Sequence, residues 1–166
     1  MKKYLLLAPI LISLFFSPVW PQSLPALKEL PQWEATSPEF LSYKGNFKAF
    51  YLKRSYYRKD GARLEISLAG GSEGARLLRA LKGRLEISTP SYMLKYSQED
   101  GFQILSSFTP PDKQGFIAVF LKEEPAVVLL AHFSSLNLKE ALKILKCFDW
   151  KGLLSQSLNF LEEKSS

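Results

Sequence analysis

Two strand-like segments joined by an Asp-Gly turn constrain the fold of this chain more than any other feature. The first segment, residues 47–57, is rich in aromatic residues and leads into Asp60-Gly61, a pair that supplies the positive φ angles of tight hairpin turns. The second segment, residues 62–68, alternates strictly and places its aliphatic side chains on one face. The sequence therefore predicts an antiparallel β-hairpin with one buried face.

Further strand-like runs extend this hairpin into a sheet. Five of them follow, separated by turns or a helix, over residues 84–88, 92–97, 102–108, 116–121 and 126–131. The last two are almost wholly apolar, and such runs are typical of strands that are buried on both faces. We therefore expect these two strands at the centre of the sheet.

Three segments have helical signals. Residues 73–82 form the first, with Ser72 as its N-cap. Near the C-terminus, Asn137 forms a capping pair with Glu140, and a last helix covers residues 153–161. We predict an α+β fold with a mostly antiparallel sheet of about six or seven strands, one inserted helix, and two C-terminal helices packed on one face.

The N-terminus matches a secretory signal peptide. Two lysines precede about a dozen apolar residues, too few for a spanning helix, which needs about 20. We expect cleavage after residue 23 and a periplasmic or secreted protein, with an uncleaved N-terminal anchor as the alternative. The predicted organisation is a signal peptide over 1–23, a proline-containing extended leader over 24–46, a single α+β domain over 47–161 and a polar tail over 162–166.

Composition narrows the chemistry. The 166 residues include one cysteine and one histidine, so the chain has no internal disulfide and lacks the ligands of the usual zinc sites; we predict neither a metal nor a cofactor. Apolar neighbours favour a buried Cys147 over one that pairs between chains. Without residues 1–23 the chain has 20 basic and 16 acidic residues, a net charge of +4, which slightly favours anionic partners.

The hairpin also contains the candidate binding residues, in which basic and aromatic side chains alternate. They are Tyr51, Arg54, Tyr56, Arg58 and Arg63. Such surfaces bind glycans, anionic lipids or nucleic acids, and export argues against nucleic acid. The structural alternative is an edge hairpin whose positive charge prevents sheet-to-sheet aggregation.

Two other motifs carry weaker signals. Residues 70–74, Gly-Gly-Ser-Glu-Gly, join a strand to a helix where phosphate loops occur, but they lack the Gly-Lys-Ser/Thr ending, and Glu73 opposes a bound anion. His132 follows the most apolar strand, and no motif supplies the nucleophile and acid of a hydrolytic triad.

These observations predict an exported, non-enzymatic binding or accessory protein for an envelope protein or a small ligand. One alternative is a peripheral protein that binds anionic membrane or glycan surfaces through the basic, aromatic hairpin. The other is a hydrolase that uses His132, for which composition gives the least support.

Overall fold

The structure, a computed structural model, describes residues 27–162. The predicted signal peptide over residues 1–23 lies outside the described residues, as do residues 163–166 of the predicted tail. In chain order the elements are β1 (Glu34–Ala35), β2 (Glu39–Lys44), β3 (Lys48–Tyr57), β4 (Arg63–Gly71), α1 (Ser72–Leu81), β5 (Ile87–Ser88), β6 (Met93–Glu99), β7 (Phe102–Thr109), β8 (Gln114–Glu123), β9 (Ala126–Ser134), α2 (Leu138–Leu145) and α3 (Trp150–Glu162). Within this range no helix is long and apolar enough to cross a membrane.

One sheet contains all nine strands of the described residues. Its order is β1-β3-β4-β9-β8-β7-β6-β5, and β2 pairs with β3 on the same side as β1. All these pairings are antiparallel, which confirms the predicted α+β class with its antiparallel sheet. The sheet has more strands than the six or seven expected because β1 and β2 come from the segment interpreted as a leader.

The predicted hairpin is the β3–β4 pair. Tyr57 lies opposite Arg63, and the Asp60-Gly61 turn connects the strands, with Gly61 at a φ of 89°. The two apolar runs became β8 and β9, which lie side by side near the centre of the sheet. Residues 126–131 of β9 are all buried, as the lack of alternation predicted.

The helices divide between the two faces of the sheet. Helices α2 and α3 cover the face that carries Leu52, Leu68 and Leu129, here called the two-helix face, and form the larger core there. Helix α1 covers part of the opposite face, here called the α1 face, where Leu81 packs in a cluster with Leu130. The two C-terminal helices therefore share one face, as predicted, and the inserted helix lies on the other.

The segment that precedes β3 is part of this packing. Leu27 and Leu30 are buried in the core of the two-helix face. Phe40 of β2 contacts the ring of Phe160 edge to face, with 5.9 Å between centroids. The sheet therefore begins with β1, before the predicted domain start at residue 47.

The sequence predicts the N-cap residue of α2 correctly and that of α1 incorrectly. The Asn137 side chain accepts a hydrogen bond from the Glu140 backbone N–H at 2.8 Å, which confirms the predicted N-cap of α2. The prediction that Ser72 caps α1 is wrong. Ser72 is the first helical residue, and the cap position belongs to Gly71, whose φ of 68° suits glycine.

Two element boundaries also differ. The run over residues 84–88 forms only the two-residue strand β5, and all five residues are exposed. Helix α3 begins at Trp150 instead of residue 153. The Asp149 carboxylate accepts a hydrogen bond from the Gly152 backbone N–H at 3.0 Å, and this contact stabilises the earlier start.

The prediction of a buried Cys147 is wrong. The thiol is exposed and lies 3.6 Å from the carbonyl oxygen of Lys143. Its apolar neighbours Leu145 and Phe148 turn into the core, and the chain geometry after α2 turns Cys147 outwards. An apolar sequence neighbourhood therefore says little about one residue in a helix-terminal turn.

Candidate functional site

An open groove of about 530 Å³ lies on the α1 face, between helix α1 and the edge formed by β2 and β3. Ser67 of β4 and Leu130 of β9 line its floor, Leu77 of α1 lines one wall, and Leu41 and Tyr43 of β2 line the other. Small-molecule sites in proteins are concave, mostly apolar and roughly 300–1,000 Å³ in volume. This feature, here called the α1 groove, is the candidate site.

The β2 wall of the groove exposes large apolar side chains to solvent. Leu41 is 70% exposed, Tyr43 is 50% exposed, and Phe47, in the turn that follows β2, is 57% exposed. The rings of Tyr43 and Phe47 lie 4.7 Å apart, centroid to centroid. Clustered apolar surface of this kind marks an interaction site more often than scattered apolar residues do.

Glycines allow close packing beside this groove, of α1 against the sheet at Gly74 and of Phe50 against β4 at Gly70 on the two-helix face. A Cβ atom on Gly74 would lie 2.4 Å from the carbonyl oxygen of Ala126, and one on Gly70 would lie 2.2 Å from the ring of Phe50. The glycines of the 70–74 motif thus serve close packing of helix and strands.

An ion pair forms the rim of the groove on α1. The Arg76 Nε donates to both carboxylate oxygens of Glu73 at 3.1 Å, and one Nη donates at 2.5 Å. The Arg76 hydrogen bonds lower the pKa of Glu73, and the same contacts raise the pKa of Arg76. Each charge of the rim is therefore matched by its neighbour.

The five residues predicted as a binding surface lie on opposite faces of the sheet. Tyr51 and Arg63 lie on the α1 face, whereas Arg54, Tyr56 and Arg58 follow the two-helix face. Tyr51 lines the α1 groove, and Arg63 is exposed near the start of β4. Because side chains of a strand alternate between faces, the five residues do not form one continuous surface.

Arg54 and Tyr56 hold the N-terminal segment in place. The Arg54 guanidinium donates to the carbonyl oxygens of Leu27 at 2.6 Å and Thr36 at 2.8 Å. The fully buried Tyr56 donates its hydroxyl proton to the carbonyl oxygen of Lys28 at 2.8 Å. Burial raises the pKa of Tyr56 to about 12. Both side chains thus connect β3 to the segment that precedes β1.

Arg58 connects the hairpin turn to helix α2. It donates to the Asp60 carboxylate at 2.8–3.0 Å and to a carboxylate oxygen of Glu140 at 2.7 Å. Its guanidinium also lies 5.0 Å from the ring centroid of Trp33. These hydrogen bonds raise the pKa of Arg58 and lower that of Asp60. The charge of Arg58 is therefore satisfied inside the protein.

A smaller, polar groove of about 290 Å³ brings together Arg63, Glu65, His132 and Ser134 on the α1 face. His132 lies within β9 and is exposed, with its ring centroid 6.0 Å from that of Phe116. No hydroxyl, thiol or carboxylate between residues 27 and 162 is hydrogen-bonded to its imidazole. The same range contains no cluster of three acidic, His or Cys side chains that could hold a metal ion.

Sequence reasoning identified one residue of the α1 groove, Tyr51, as a binding residue and missed the others. Leu41 and Tyr43 lie in the predicted leader, and Leu77 lies in the predicted helix over residues 73–82. A signal was present, because Leu41 and Tyr43 have the two-residue spacing of side chains on one face of a strand. No family model matches this chain, and no curated protein or solved structure is significantly similar to it.

Proposed function

We propose that this chain is an exported, non-catalytic protein that binds a small and largely apolar ligand in the α1 groove. The groove itself carries the proposal, because it has the volume and the apolar walls of a small-molecule site. The pattern of residues 1–23 supports export to the periplasm or beyond the cell.

The exposed wall gives such a ligand a source of binding free energy. Leu41 and Tyr43 leave half or more of their surface in water. Full burial of a leucine side chain is worth about 1.5–3 kcal/mol, so covering the exposed part of Leu41 contributes about 1–2 kcal/mol. The β2 wall can therefore change ligand affinity by about five- to thirty-fold.

A neutral, apolar fluorescent probe tests this proposal on the full chain. N-phenyl-1-naphthylamine fluoresces more strongly in apolar sites, and we expect a saturable increase with one probe per chain. Leu41→Lys should weaken binding at least fivefold, because it replaces apolar wall with a solvated cation. Leu85→Lys is the matched control, since Leu85 is 84% exposed and does not line the groove.

The comparison of the two variants decides the outcome. Weaker binding by Leu41→Lys with unchanged binding by Leu85→Lys supports the groove. Binding that fails to saturate, or that both variants leave unchanged, overturns the proposal. So does weaker binding by Leu85→Lys alone, because the probe would then occupy the separate exposed apolar surface formed by Leu85 and Ile87.

A further inference from the structure

We infer that the ligand of the α1 groove is electrically neutral and carries one hydrogen-bonding group that meets the hydroxyl of Ser67. This inference rests on the proposed function and specifies the chemical class of the ligand. Alcohols, amides and esters with an apolar body belong to that class. Fatty acids and other anionic amphiphiles do not.

The floor of the groove contains an unpartnered hydroxyl. Ser67 is only 3% exposed and lies between Lys53 of β3 and Leu130 of β9 in the sheet register. Its side chain makes no hydrogen bond with any of residues 27–162. Across that range, no side-chain oxygen or nitrogen that is sealed from solvent lacks a partner. The Ser67 hydroxyl therefore opens into the groove that it lines.

An unpartnered hydroxyl beneath a bound ligand selects for a polar group on that ligand. A serine hydroxyl both donates and accepts, so a ligand oxygen or N–H group at this point satisfies it. A purely hydrocarbon ligand would displace water and leave the hydroxyl unpaired, which weakens binding. Ser67 thus acts as a specificity-determining residue at an otherwise apolar floor.

The two cations at the groove, Arg76 and Lys53, each lie beside a carboxylate. Arg76 is paired with Glu73 through three hydrogen bonds of 2.5–3.1 Å. Lys53, next to Ser67 on the same face, lies 3.6 Å from a carboxylate oxygen of Glu39 and 3.8 Å from one of Glu65. An anionic head group would meet a carboxylate beside each of these cations and be repelled by it, so a neutral ligand is favoured.

Three amphiphiles that differ only in head group test the charge selection. 1-Decanol, decanoate and decylamine are each titrated against the complex of the full chain with N-phenyl-1-naphthylamine. We expect 1-decanol to displace the probe with an affinity at least fivefold higher than that of decanoate. Equal displacement by 1-decanol and decanoate, or tighter binding of decanoate or decylamine, overturns the selection for a neutral ligand.

Ser67→Ala tests the role of the hydroxyl. We expect this variant to weaken 1-decanol binding about fivefold, the usual effect of one hydrogen bond. The probe also carries an N–H group that can meet Ser67, so its affinity for each variant is measured directly and used to obtain the 1-decanol affinity from the displacement curve. Ser134→Ala, at a serine of the same sheet face outside the α1 groove, is the control, and equal melting temperatures show that both variants fold.

The failure of this inference differs from the failure of the proposed function. If the probe binds and Leu41→Lys weakens it, the groove is a binding site. Unchanged 1-decanol binding by Ser67→Ala then overturns only the role of Ser67. If the probe does not bind, or binds the Leu41→Lys variant as tightly as the wild type, both the proposed function and this inference fail.

Discussion

The close approach of helix α1 to the sheet predicts an unusual response to a glycine-to-alanine substitution. In most helices this change stabilises the protein, because alanine has less conformational freedom to lose on folding. At Gly74, however, the added Cβ atom would lie 2.4 Å from the Ala126 carbonyl oxygen and 3.0 Å from that of Ala69. Both neighbours are backbone atoms of the sheet, so α1 has to move away.

The magnitude follows from two opposing contributions. Overpacking a close contact costs about 1–3 kcal/mol, whereas the helix-propensity gain is at most about 1 kcal/mol and is smaller in a first turn. We therefore expect Gly74→Ala to destabilise the protein by about 1–2 kcal/mol. Because Leu77 lies on the same helix and lines the groove, the displacement of α1 should also weaken binding of N-phenyl-1-naphthylamine.

Gly152→Ala in α3 is the matched control. Its Cβ atom would meet only the side chain of Asp149, at 2.4 Å from one carboxylate oxygen, and that side chain can rotate. The helix-propensity gain then offsets a weakened contact to the Gly152 N–H, and stability should stay within about 1 kcal/mol of the wild type.

Urea unfolding followed by tryptophan fluorescence measures both effects as shifts of the midpoint at constant slope. A Gly74→Ala protein as stable as the wild type, or more stable, would refute the argument that this glycine is required for backbone contact. A loss of stability in Gly152→Ala as large as that in Gly74→Ala would refute it too, because the cost would then be common to helical glycines.

Two further predictions concern β3. Tyr56 keeps its proton to about pH 12 in the folded protein, whereas a tyrosine of the unfolded chain loses its proton near the ordinary pKa of 10.0. Raising the pH from about 10 to 12 therefore lowers the free energy of unfolding by about 2–3 kcal/mol. The Tyr56→Phe protein should not show this loss of stability when urea unfolding is measured at each pH. Equal losses of stability between pH 10 and 12 in the two proteins would contradict the prediction. Arg54→Ala should cost about 2 kcal/mol and speed hydrogen exchange of the segment from Leu27 to Thr36. Arg63→Ala, at an exposed arginine, should change stability by less than about 0.5 kcal/mol, and equal losses in the two variants would contradict the role of Arg54.

The elements that the sequence predicts well are those with local signals. The hairpin follows from strict alternation around Asp60-Gly61, the central position of β8 and β9 from their lack of alternation, and the start of α2 from Asn137. In each case neighbouring residues alone determine the conformation.

The N-terminal segment shows where local signals become ambiguous. Its prolines predict extended backbone, and extended backbone is compatible both with a leader and with an edge strand. Contacts with residues distant in sequence distinguish an edge strand from a leader. β2 pairs along six residues of β3, and Arg54 donates to the carbonyl oxygens of Leu27 and Thr36. The sequence of residues 24–46 alone does not show that β3 and Arg54 are the partners of this segment.

The five candidate binding residues do not form one continuous surface, for a related reason. Alternation places Leu52, Arg54 and Tyr56 on the same side of β3, and Arg58, directly after the strand, continues that side. Alternation does not say which side the C-terminal helices cover. Helices α2 and α3 lie on that side, so the tyrosine is buried and both arginines bind other segments of the protein.

The α1 groove follows from the size of one helix relative to the sheet. Ten helical residues span about 15 Å, whereas eight strands in succession, about 4.8 Å apart, span roughly 30–35 Å. A single helix of this length cannot cover the whole α1 face. The contacts of Gly74 with Ala126 and Ala69 hold α1 against β4 and β9, so the uncovered area towards β2 and β3 remains open to solvent. Leu41, Tyr43 and Ser67 face that area, and the exposure of Leu41 and Tyr43 is a consequence of where the helix is held.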